Sequence, residues 1–275
     1  MLQRPNPTQF KQSLAEFFNE RRHYDDEGDF HPRIAQRLID YACLQPGQKV
    51  LDIATGTGLA AIAAAQQIAP DGWVVGVDLS EGMLNQAKRK IETLQLFNIS
   101  LDLADAETLY FPEHCFDVVL CSSALVYLTD IPTNLRQWHK FLKPGGLVGF
   151  HGFSEDSFVV GVTTQKIAQR YGISLVFNQP TGTEQRCRSL LQAAGFGNIT
   201  VYTEQFGDYI SLETAKQLWN PGSKNPMIHP LRQLSPQQLE QAKQEYVAEL
   251  VALQTDRGIW NNILTFFAFG QKIET

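Results

Sequence analysis

Cysteine is scarce in this sequence of 275 residues. Four cysteines occur, at positions 43, 115, 121 and 187, without a Cys-x-x-Cys pair or a Cys/His cluster. This spacing favours neither a zinc site nor a disulfide framework, so we predict no metal ligands. It is typical of a protein in a reducing compartment, and we expect a cytoplasmic location.

The sequence also lacks a surplus of positive charge and long apolar runs. Lys and Arg number 23 against 29 Asp and Glu, for a net charge of -6. A nucleic-acid binder needs basic residues to neutralise phosphates, so we expect no nucleic-acid partner. The longest apolar stretch, residues 50–65, is interrupted by Asp52, Thr55 and two glycines, and predicts no membrane insertion. The segment Met1–Pro7 has no apolar core typical of a signal peptide.

Hydrophobic residues make up 43% of the chain, enough for one large domain or one domain plus a cap. Helical spacing of apolar residues predicts helices over 8–22, from 31, and over 59–68, 81–94 and 131–142. Short apolar runs predict strands over 49–54, 73–78, 99–104, 116–121 and 147–153. Alternating strands and helices require crossover connections. The pattern therefore predicts an α/β fold with a mostly parallel sheet and helices on both faces.

The regular alternation of predicted strands and helices ends in the last third of the chain. We predict a helix over 183–194, strands over 198–202 and 263–272, and a helix over 235–255. Residues 206–262 are too many for a tight loop and are interpreted as a helical insertion that caps the sheet. The predicted organisation is a lid, a core, a cap and a last core strand with a tail, over residues 1–48, 49–205, 206–262 and 263–275.

A glycine-containing turn, Ala54-Thr55-Gly56-Thr57-Gly58, lies between the first predicted core strand and its helix. Glycine allows a ligand to approach the backbone closely, and the helix N-terminus offers unpaired N–H groups. Asp78 ends the next strand, where a carboxylate can accept hydrogen bonds from ribose hydroxyls. Alone, the turn is equally compatible with a tight connection. Together with Asp78 it predicts a nucleoside-cofactor site at the carboxyl ends of the strands.

Three further sequence features indicate which nucleoside cofactor this site would bind. Asp52 precedes the turn, Ala104-Asp105-Ala106-Glu107 follows the third strand, and Leu142-Lys143-Pro144-Gly145-Gly146 precedes the fifth. This ordered set resembles the class I S-adenosylmethionine (SAM)-dependent methyltransferases, most of all the small-molecule group that includes ubiquinone/menaquinone-biosynthesis enzymes. The resemblance covers roughly residues 20–205 and the last strand. It implies a Rossmann-like sheet with an antiparallel C-terminal strand, SAM as cofactor, S-adenosylhomocysteine as product, and a small-molecule methyl acceptor.

The resemblance also implies roles for individual residues. Asp52 would orient the turn or bind the methionyl amino group, although it could simply cap backbone N–H groups. Ala54 replaces the first glycine of the family turn, which we expect to be tolerated if its φ is negative. Asp78 would bind the ribose. Asp105 would bind the adenine amino group, unless it is only a solvated loop carboxylate. The full predicted cofactor set is Tyr24, Asp52, Ala54, Gly56, Thr57, Gly58, Asp78, Leu79, Met83, Asp105, Ala106, Cys121 and Ser122.

Leu79 and Met83 of this set would flank the adenine, although Met83 is equally typical of a core residue. The Ala106 N–H would face an adenine ring nitrogen. Cys121 and Ser122 would lie where the cofactor meets the acceptor, and Tyr24 belongs to a segment that covers the cofactor in comparable proteins.

The sequence indicates less about the methyl acceptor than about the cofactor. If a proton must be removed, His151 and His31 are the candidate bases, because histidine titrates near neutral pH. Aromatic and apolar residues of the insertion would suit an apolar or aromatic acceptor, namely Trp219, Met227, Tyr246 and Trp260. Tyr246, Leu250 and Leu253 have helical spacing, however, and could be ordinary core.

Two other functions stay open at this point. Gly56–Ala61 matches the G-x-G-x-x-A pattern of an NAD-dependent oxidoreductase, with Asp78 downstream. A non-catalytic SAM-binding regulator would keep the same cofactor residues. The oligomeric state is not predicted.

Overall fold

The computed structural model describes residues 7–26 and 28–273. The helices are α1 Pro7–Asn19, α2 Phe30–Ala42, α3 Leu59–Ile68, α4 Glu81–Thr93, α5 Ile131–Phe141, α6 Val159–Arg170, α7 Glu184–Ala193, α8 Leu212–Gln217 and α9 Pro236–Ala252. The strands are β1 Lys49–Ile53, β2 Trp73–Asp78, β3 Ile99–Leu103, β4 Phe116–Cys121, β5 Leu142–Phe153, β6 Phe196–Gln205, β7 Asp208–Ile210, β8 Ile259–Asn261 and β9 Leu264–Lys272. No helix of these described ranges is long and apolar enough to cross a membrane.

The main sheet has seven strands in the order β3-β2-β1-β4-β5-β9-β6. Pairing is parallel between β1 and β2, β1 and β4, β2 and β3, and β4 and β5, and a C-terminal strand is antiparallel. The predicted Rossmann-like α/β fold is therefore confirmed. The chain runs outward in opposite directions from β1, through β2 on one side and β4 on the other. Ligands of such sheets bind in the crevice at this switch point, beyond the carboxyl ends of the strands.

Local sequence explains most boundaries in the first half of the sheet. Helix α3 and strands β2 and β4 have the predicted bounds. Ser80 caps α4, because its hydroxyl accepts a hydrogen bond from the Met83 N–H at 3.1 Å. Helix α3 presents alanines to the core, including Ala61 and Ala64, which are fully buried. Their small side chains permit close packing of α3, which positions the turn that precedes it.

Strand β5 differs from the prediction. The segment 143–146 was expected to form a turn between helix and strand, but it lies inside β5, which begins at Leu142. Leu142 pairs with Phe116, whereas the next paired residue, Leu147, pairs with Val118. Four residues are therefore accommodated as an irregularity opposite one residue of β4. The glycines permit this, and Gly145 has φ +75°.

The described chain divides into two compact units. Among the described residues, one contains 18–26, 28–152, 184–202 and 266–273, and the other contains 7–17, 153–183 and 203–265. The predicted cap, 206–262, therefore shares a unit with residues 153–183, which the sequence analysis assigned to the core. Most of the predicted lid, from residue 18 on, belongs to the first of these units, which contains most of the main sheet. Within the second unit, β7 and β8 form a small antiparallel sheet that the sequence did not predict.

The aromatic residues of the insertion are partly core. Tyr246 is fully buried with Leu250, and Trp219 packs against the same cluster. The Tyr246 hydroxyl donates to the Ala215 carbonyl oxygen at 2.7 Å. The ordinary-core interpretation of Tyr246 and Leu250 is therefore confirmed. Leu253, by contrast, is exposed.

Candidate active site

The turn after β1 contains two glycines with different roles. Gly56 has φ +57° and Gly58 has φ +80°, so both occupy the left-handed region. A Cβ at Gly58 would lie 3.1 Å from the Ala87 Cβ, which shows that this glycine allows α3 and α4 to pack closely. A Cβ at Gly56 would meet no described atom within 4 Å. Gly56 is thus the position at which a ligand can reach the backbone of the turn.

Ala54 does not have the negative φ that was expected for an alanine in place of the first glycine of the turn. Its φ is +52°, not negative. The chain therefore keeps the left-handed conformation that suits glycine, with a side chain that is strained there. Residues held in such regions persist when the surrounding structure over-determines them. Here the turn is held by the Thr55 N–H, which donates to the Val77 carbonyl oxygen at 2.9 Å.

Asp52 is a buried carboxylate behind the turn, with 1% of its surface exposed. Its Oδ2 accepts a hydrogen bond from the Thr55 hydroxyl at 2.6 Å, so Asp52 orients the turn through a side chain. Its Oδ1 is buried and has no hydrogen-bond partner among the described residues. Burial raises the pKa of Asp52 from 3.8 to about 7, the Thr55 hydroxyl opposes this shift, and the charge of Asp78 adds to it. An unpaired buried carboxylate oxygen of this kind suits a cationic ligand group.

Asp78 lies at the carboxyl end of β2 and connects three parts of the site. Its Oδ2 accepts from the Gly56 N–H and its Oδ1 from the Ser80 N–H, both at 2.8 Å. Burial raises the pKa of Asp78, and these two N–H groups oppose the shift. A carboxylate has about four acceptor positions. Two remain for the ribose hydroxyls, so the geometry is compatible with the predicted role.

The loop after β3 lies against the end of β2. The Ala104 N–H donates to the Asp78 carbonyl oxygen at 2.9 Å, and the Asp105 Oδ1 accepts from the Glu107 N–H at 3.0 Å. The Glu107 carboxylate in turn accepts from the Thr129 N–H at 2.7 Å. Asp105 is half-buried in an ordered turn, rather than a solvated loop residue.

The residues predicted to flank the adenine differ in burial. Leu79 and Ala106 are half-buried, whereas Met83 is 2% exposed and belongs to the core of the sheet unit. Met83 is thus better described as support for the site than as its surface.

The segment before α2 is attached to the glycine turn through a residue that the sequence analysis did not single out. Asp25 accepts from the Thr57 hydroxyl at 2.6 Å and forms an ion pair with Lys90. The sequence showed only a run of acidic residues around it. Tyr24, the preceding residue, stacks on His31 with ring centroids 4.8 Å apart. The Arg21 guanidinium lies over the Tyr24 ring, with its Cζ 4.3 Å from the ring centroid. The predicted lid residues are thus connected to the cofactor turn.

The carboxyl ends of β4 and β5 bring the acceptor-side residues together. Cys121 pairs with Phe150 in the parallel register, which places His151 one residue further along β5. Cys121 is buried, and burial together with the charge of Asp52 raises the pKa of its thiol. Ser122 is half-buried. His151 is 1% exposed, and burial and the charge of His31 lower its pKa to about 3.

Such a low pKa has a chemical consequence. His151 is neutral at physiological pH and is a weak base there, because efficient proton transfer needs a pKa near the working pH. His31 is close enough to His151 for its charge to be felt. The charge of His31 is thus one cause of the low pKa of His151, an effect that their separation in the chain did not indicate.

SAM fits the residues of this site on two observations. Its methionyl part carries an ammonium group, which matches the unpaired, buried Oδ1 of Asp52. The open space beside Gly56 would allow the methionyl part of SAM to approach the backbone of the turn closely. Asp78 would hold the ribose, and Leu79 with Asp105 would border the adenine.

Comparison with known proteins agrees with this geometry. Residues 50–146 match a family model described as a methyltransferase domain. A demethylmenaquinone methyltransferase from Symbiobacterium thermophilum is 34% identical over 152 residues, which cover 52% of this chain and 60% of the relative. An aklanonic acid methyltransferase from Streptomyces sp. strain C5 is 33% identical over 143 residues, covering 51% and 65%. The chain thus spans less than two thirds of the length of these relatives.

Solved structures extend the similarity of the fold to nearly the whole chain. The YcgJ protein of Bacillus subtilis has a TM-score of 0.61 at 17% identity and covers 89% of this chain and 100% of its own. A phosphoethanolamine N-methyltransferase from Haemonchus contortus has a TM-score of 0.59 at 18% identity and covers 96% and 60%. At these identities the likeness concerns the fold alone. The family match makes residues 50–146 similar to known methyltransferase domains.

Proposed function

We propose that this protein transfers a methyl group from SAM to a small apolar or aromatic acceptor. The observation that carries the proposal is the meeting of Asp52, Gly56 and Asp78 at the carboxyl ends of β1 and β2. SAM supplies a sulfonium methyl that is already activated, so the protein has mainly to bind and align the reactants. The family match to a methyltransferase domain favours this function over NAD-dependent oxidation.

On the cofactor side, the proposed roles follow the geometry. Asp78 accepts hydrogen bonds from the ribose hydroxyls, and the Oδ1 of Asp52 binds the methionyl ammonium group. Leu79, Asp105 and the Ala106 N–H border the adenine. The backbone of the turn at Gly56 and Thr57 faces the methionyl part.

On the acceptor side, we assign the carboxyl ends of β4 and β5. Cys121 and Ser122 border the methyl group, and His151 lies beside them. Where the acceptor must lose a proton, the assigned base is His31, because the lowered pKa of His151 does not suit this task. Three relatives are named for small organic acceptors, demethylmenaquinone, aklanonic acid and nocamycin. Their names support a small-molecule acceptor for this chain.

The place of action that we propose is the cytoplasm. The low number and wide spacing of the cysteines, Cys43, Cys115, Cys121 and Cys187, support a reducing compartment. The excess of acidic residues over basic ones supports the absence of a nucleic-acid partner.

Calorimetry with SAM and with NAD tests the cofactor assignment. We expect binding of SAM and S-adenosylhomocysteine but not of NAD; the opposite preference would overturn the proposal. Transfer is then measured with methyl-labelled SAM and a panel of naphthoquinols, phenols and aliphatic amines. Label on a ring-bearing acceptor supports the proposal. Tight SAM binding without transfer to any member would favour a non-catalytic SAM-binding regulator.

A further inference from the structure

A cavity of about 380 Å³ lies between the segment of residues 19–23 and helix α4. Sites for small molecules have volumes of this order. All of its lining residues belong to the unit that contains most of the main sheet, and none of them is a predicted cofactor residue. The side chains that line it are polar or cationic, namely Asn19, Arg22, His23, Asn85, Gln86 and Arg89.

Two arginines from different parts of the chain line this cavity. Arg22 follows α1 and Arg89 lies on α4, and both are exposed. Within the described ranges, neither guanidinium forms a hydrogen bond or an ion pair, whereas the adjacent Lys90 is paired with Asp25. No Asp or Glu is among the described residues that line the cavity. The two like charges repel each other, and a bound anion would replace this repulsion by attraction.

Asn19 and Asn85 add neutral hydrogen-bond donors to the same cavity. The Asn19 Oδ1 accepts hydrogen bonds from the Ser80 hydroxyl and the Gly82 N–H, both at 2.8 Å. Because a backbone N–H can only donate, this contact fixes the orientation of the Asn19 carboxamide and leaves its two N–H groups as donors. The Asn85 carboxamide is exposed and has no partner in the part of the chain that the structure describes. The cavity thus offers more donors than acceptors.

This combination of side chains is suited to a phosphate group. A guanidinium is planar, keeps its charge at physiological pH, and binds phosphate oxygens through parallel N–H groups. Phosphate oxygens accept hydrogen bonds, so the carboxamide N–H groups of Asn19 and Asn85 complement the two arginines. The volume of the cavity also accommodates an organic group attached to the phosphate.

We propose that this cavity binds the phosphate group of a small organic molecule, with Arg22 and Arg89 as its cationic partners. The site is additional to methyl transfer, because none of its residues takes part in the cofactor or acceptor contacts assigned above.

The segment that lines the cavity is also connected to the cofactor turn. Gln86 of α4 donates a hydrogen bond to the Arg21 carbonyl oxygen at 2.9 Å. A few residues further on, Asp25 accepts from the Thr57 hydroxyl at 2.6 Å. A phosphate held in the cavity adds a link between this segment and α4, and a cofactor bound at the turn stabilises the same arrangement. Each ligand should therefore increase the affinity for the other, by the same factor.

Calorimetry on the full chain tests the site without reference to methyl transfer. The probes are glycerol 3-phosphate, pyrophosphate and inorganic phosphate, in about 0.1 M KCl to screen weak surface charges. We expect saturable binding of at least one probe with a Kd below about 1 mM. Arg22→Gln and Arg89→Gln should each raise this Kd at least about fivefold, since charge-assisted hydrogen bonds are lost. Both residues are exposed, so the circular dichroism spectrum should be retained.

Lys88→Gln is the matched control, because Lys88 is an exposed cation on α4 that does not line the cavity. Its Kd should stay within about twofold of the wild type. Equal weakening by Lys88→Gln, or no saturable binding of any probe, would overturn the proposal. Phosphatidylcholine vesicles with and without phosphatidic acid form a second arm. Binding to phosphatidic acid vesicles alone would assign the cavity to a lipid headgroup and overturn a small-molecule site.

Repeating the titration with saturating S-adenosylhomocysteine tests the connection to the cofactor turn. We expect the Kd of the phosphate probe to fall at least about fivefold. An unchanged Kd would refute the connection. Competition between the two ligands would overturn the proposal, because the cavity would then be part of the cofactor site. If the protein binds no S-adenosylhomocysteine, the proposed function fails, and the titration without cofactor still decides whether the cavity binds phosphate.

Discussion

Replacing Asp52 by Asn should make the protein without cofactor more stable and its cofactor binding weaker. Asp52 is buried behind the glycine turn, with one carboxylate oxygen hydrogen-bonded to Thr55 and the other without a partner in the part of the chain that the structure describes. Burial raises its pKa from 3.8 in an unfolded chain to about 7. Asn has nearly the same shape, carries no charge at any pH, and can still accept from the Thr55 hydroxyl.

The direction of the effect follows from proton binding. The folded protein holds the Asp52 proton more tightly than the unfolded chain, so raising the pH above the unfolded pKa favours unfolding. Each pH unit in this window costs about 1.4 kcal/mol of stability, and the window spans about three units. At about pH 8 the penalty therefore reaches at most about 4 kcal/mol, and at about pH 5 it is roughly 1.6 kcal/mol. Asp52→Asn should remove both, so its advantage over the wild type should grow by about 2.5 kcal/mol between these pH values.

Urea unfolding of the wild type and of Asp52→Asn, at about pH 5 and pH 8, measures this difference. Asp102→Asn is the control, because Asp102 is an exposed carboxylate on β3. An Asp52→Asn advantage that is the same at both pH values, or absent at the higher one, would refute the reasoning. SAM binding provides an independent test: we expect at least about tenfold weaker affinity. Near pH 6 the wild type should release a proton on binding SAM, since the ammonium group favours ionised Asp52, and the variant should not.

Other variants test the remaining contacts. Asp78→Ala should weaken SAM binding at least about tenfold by calorimetry with the circular dichroism spectrum retained, since charge-assisted hydrogen bonds are lost; unchanged affinity would remove Asp78 from the site. Asp25→Asn keeps an acceptor for Thr57 but loses the ion pair with Lys90, so SAM affinity should fall about fivefold and amides 19–26 should exchange faster; unaltered exchange would show that the pair does not hold this segment. Ala54→Gly should relieve strain at φ +52° and raise the Tm by about 2–4 °C; a lower Tm would contradict the strain.

Local sequence was sufficient for the cofactor half of the fold. The apolar run of β1, the glycine turn, the alanines of α3 and the cap at Ser80 each favour the conformation that is observed, without help from distant residues. Because parallel strands present their carboxyl ends at one edge, the spacing of Asp52 and Asp78 also predicted that they share a site. Their hydrogen bonds to the same turn agree with that expectation.

Tertiary contacts decided the features that local patterns contradict. Helix α6 was not predicted, because Val159, Val160 and Gly161 favour other structures; Ile167 anchors it in a buried cluster with Tyr246 of α9. The irregularity in β5 exists because Leu142 pairs with β4, and no pattern in residues 143–146 encodes that partner.

The acceptor side depends most on the tertiary structure. The positive φ of Ser123 and its hydrogen bond to His151, 28 residues away, arise only when β4 and β5 lie side by side. The pKa of His151, on strand β5, is likewise set by burial and by the charge of His31, which lies on helix α2. Sequence alone determined which residues bear the chemistry, since their types and local spacing are fixed along the chain. The tertiary structure decided which of them ionise and which of them meet, because burial and contact between distant segments exist only after folding.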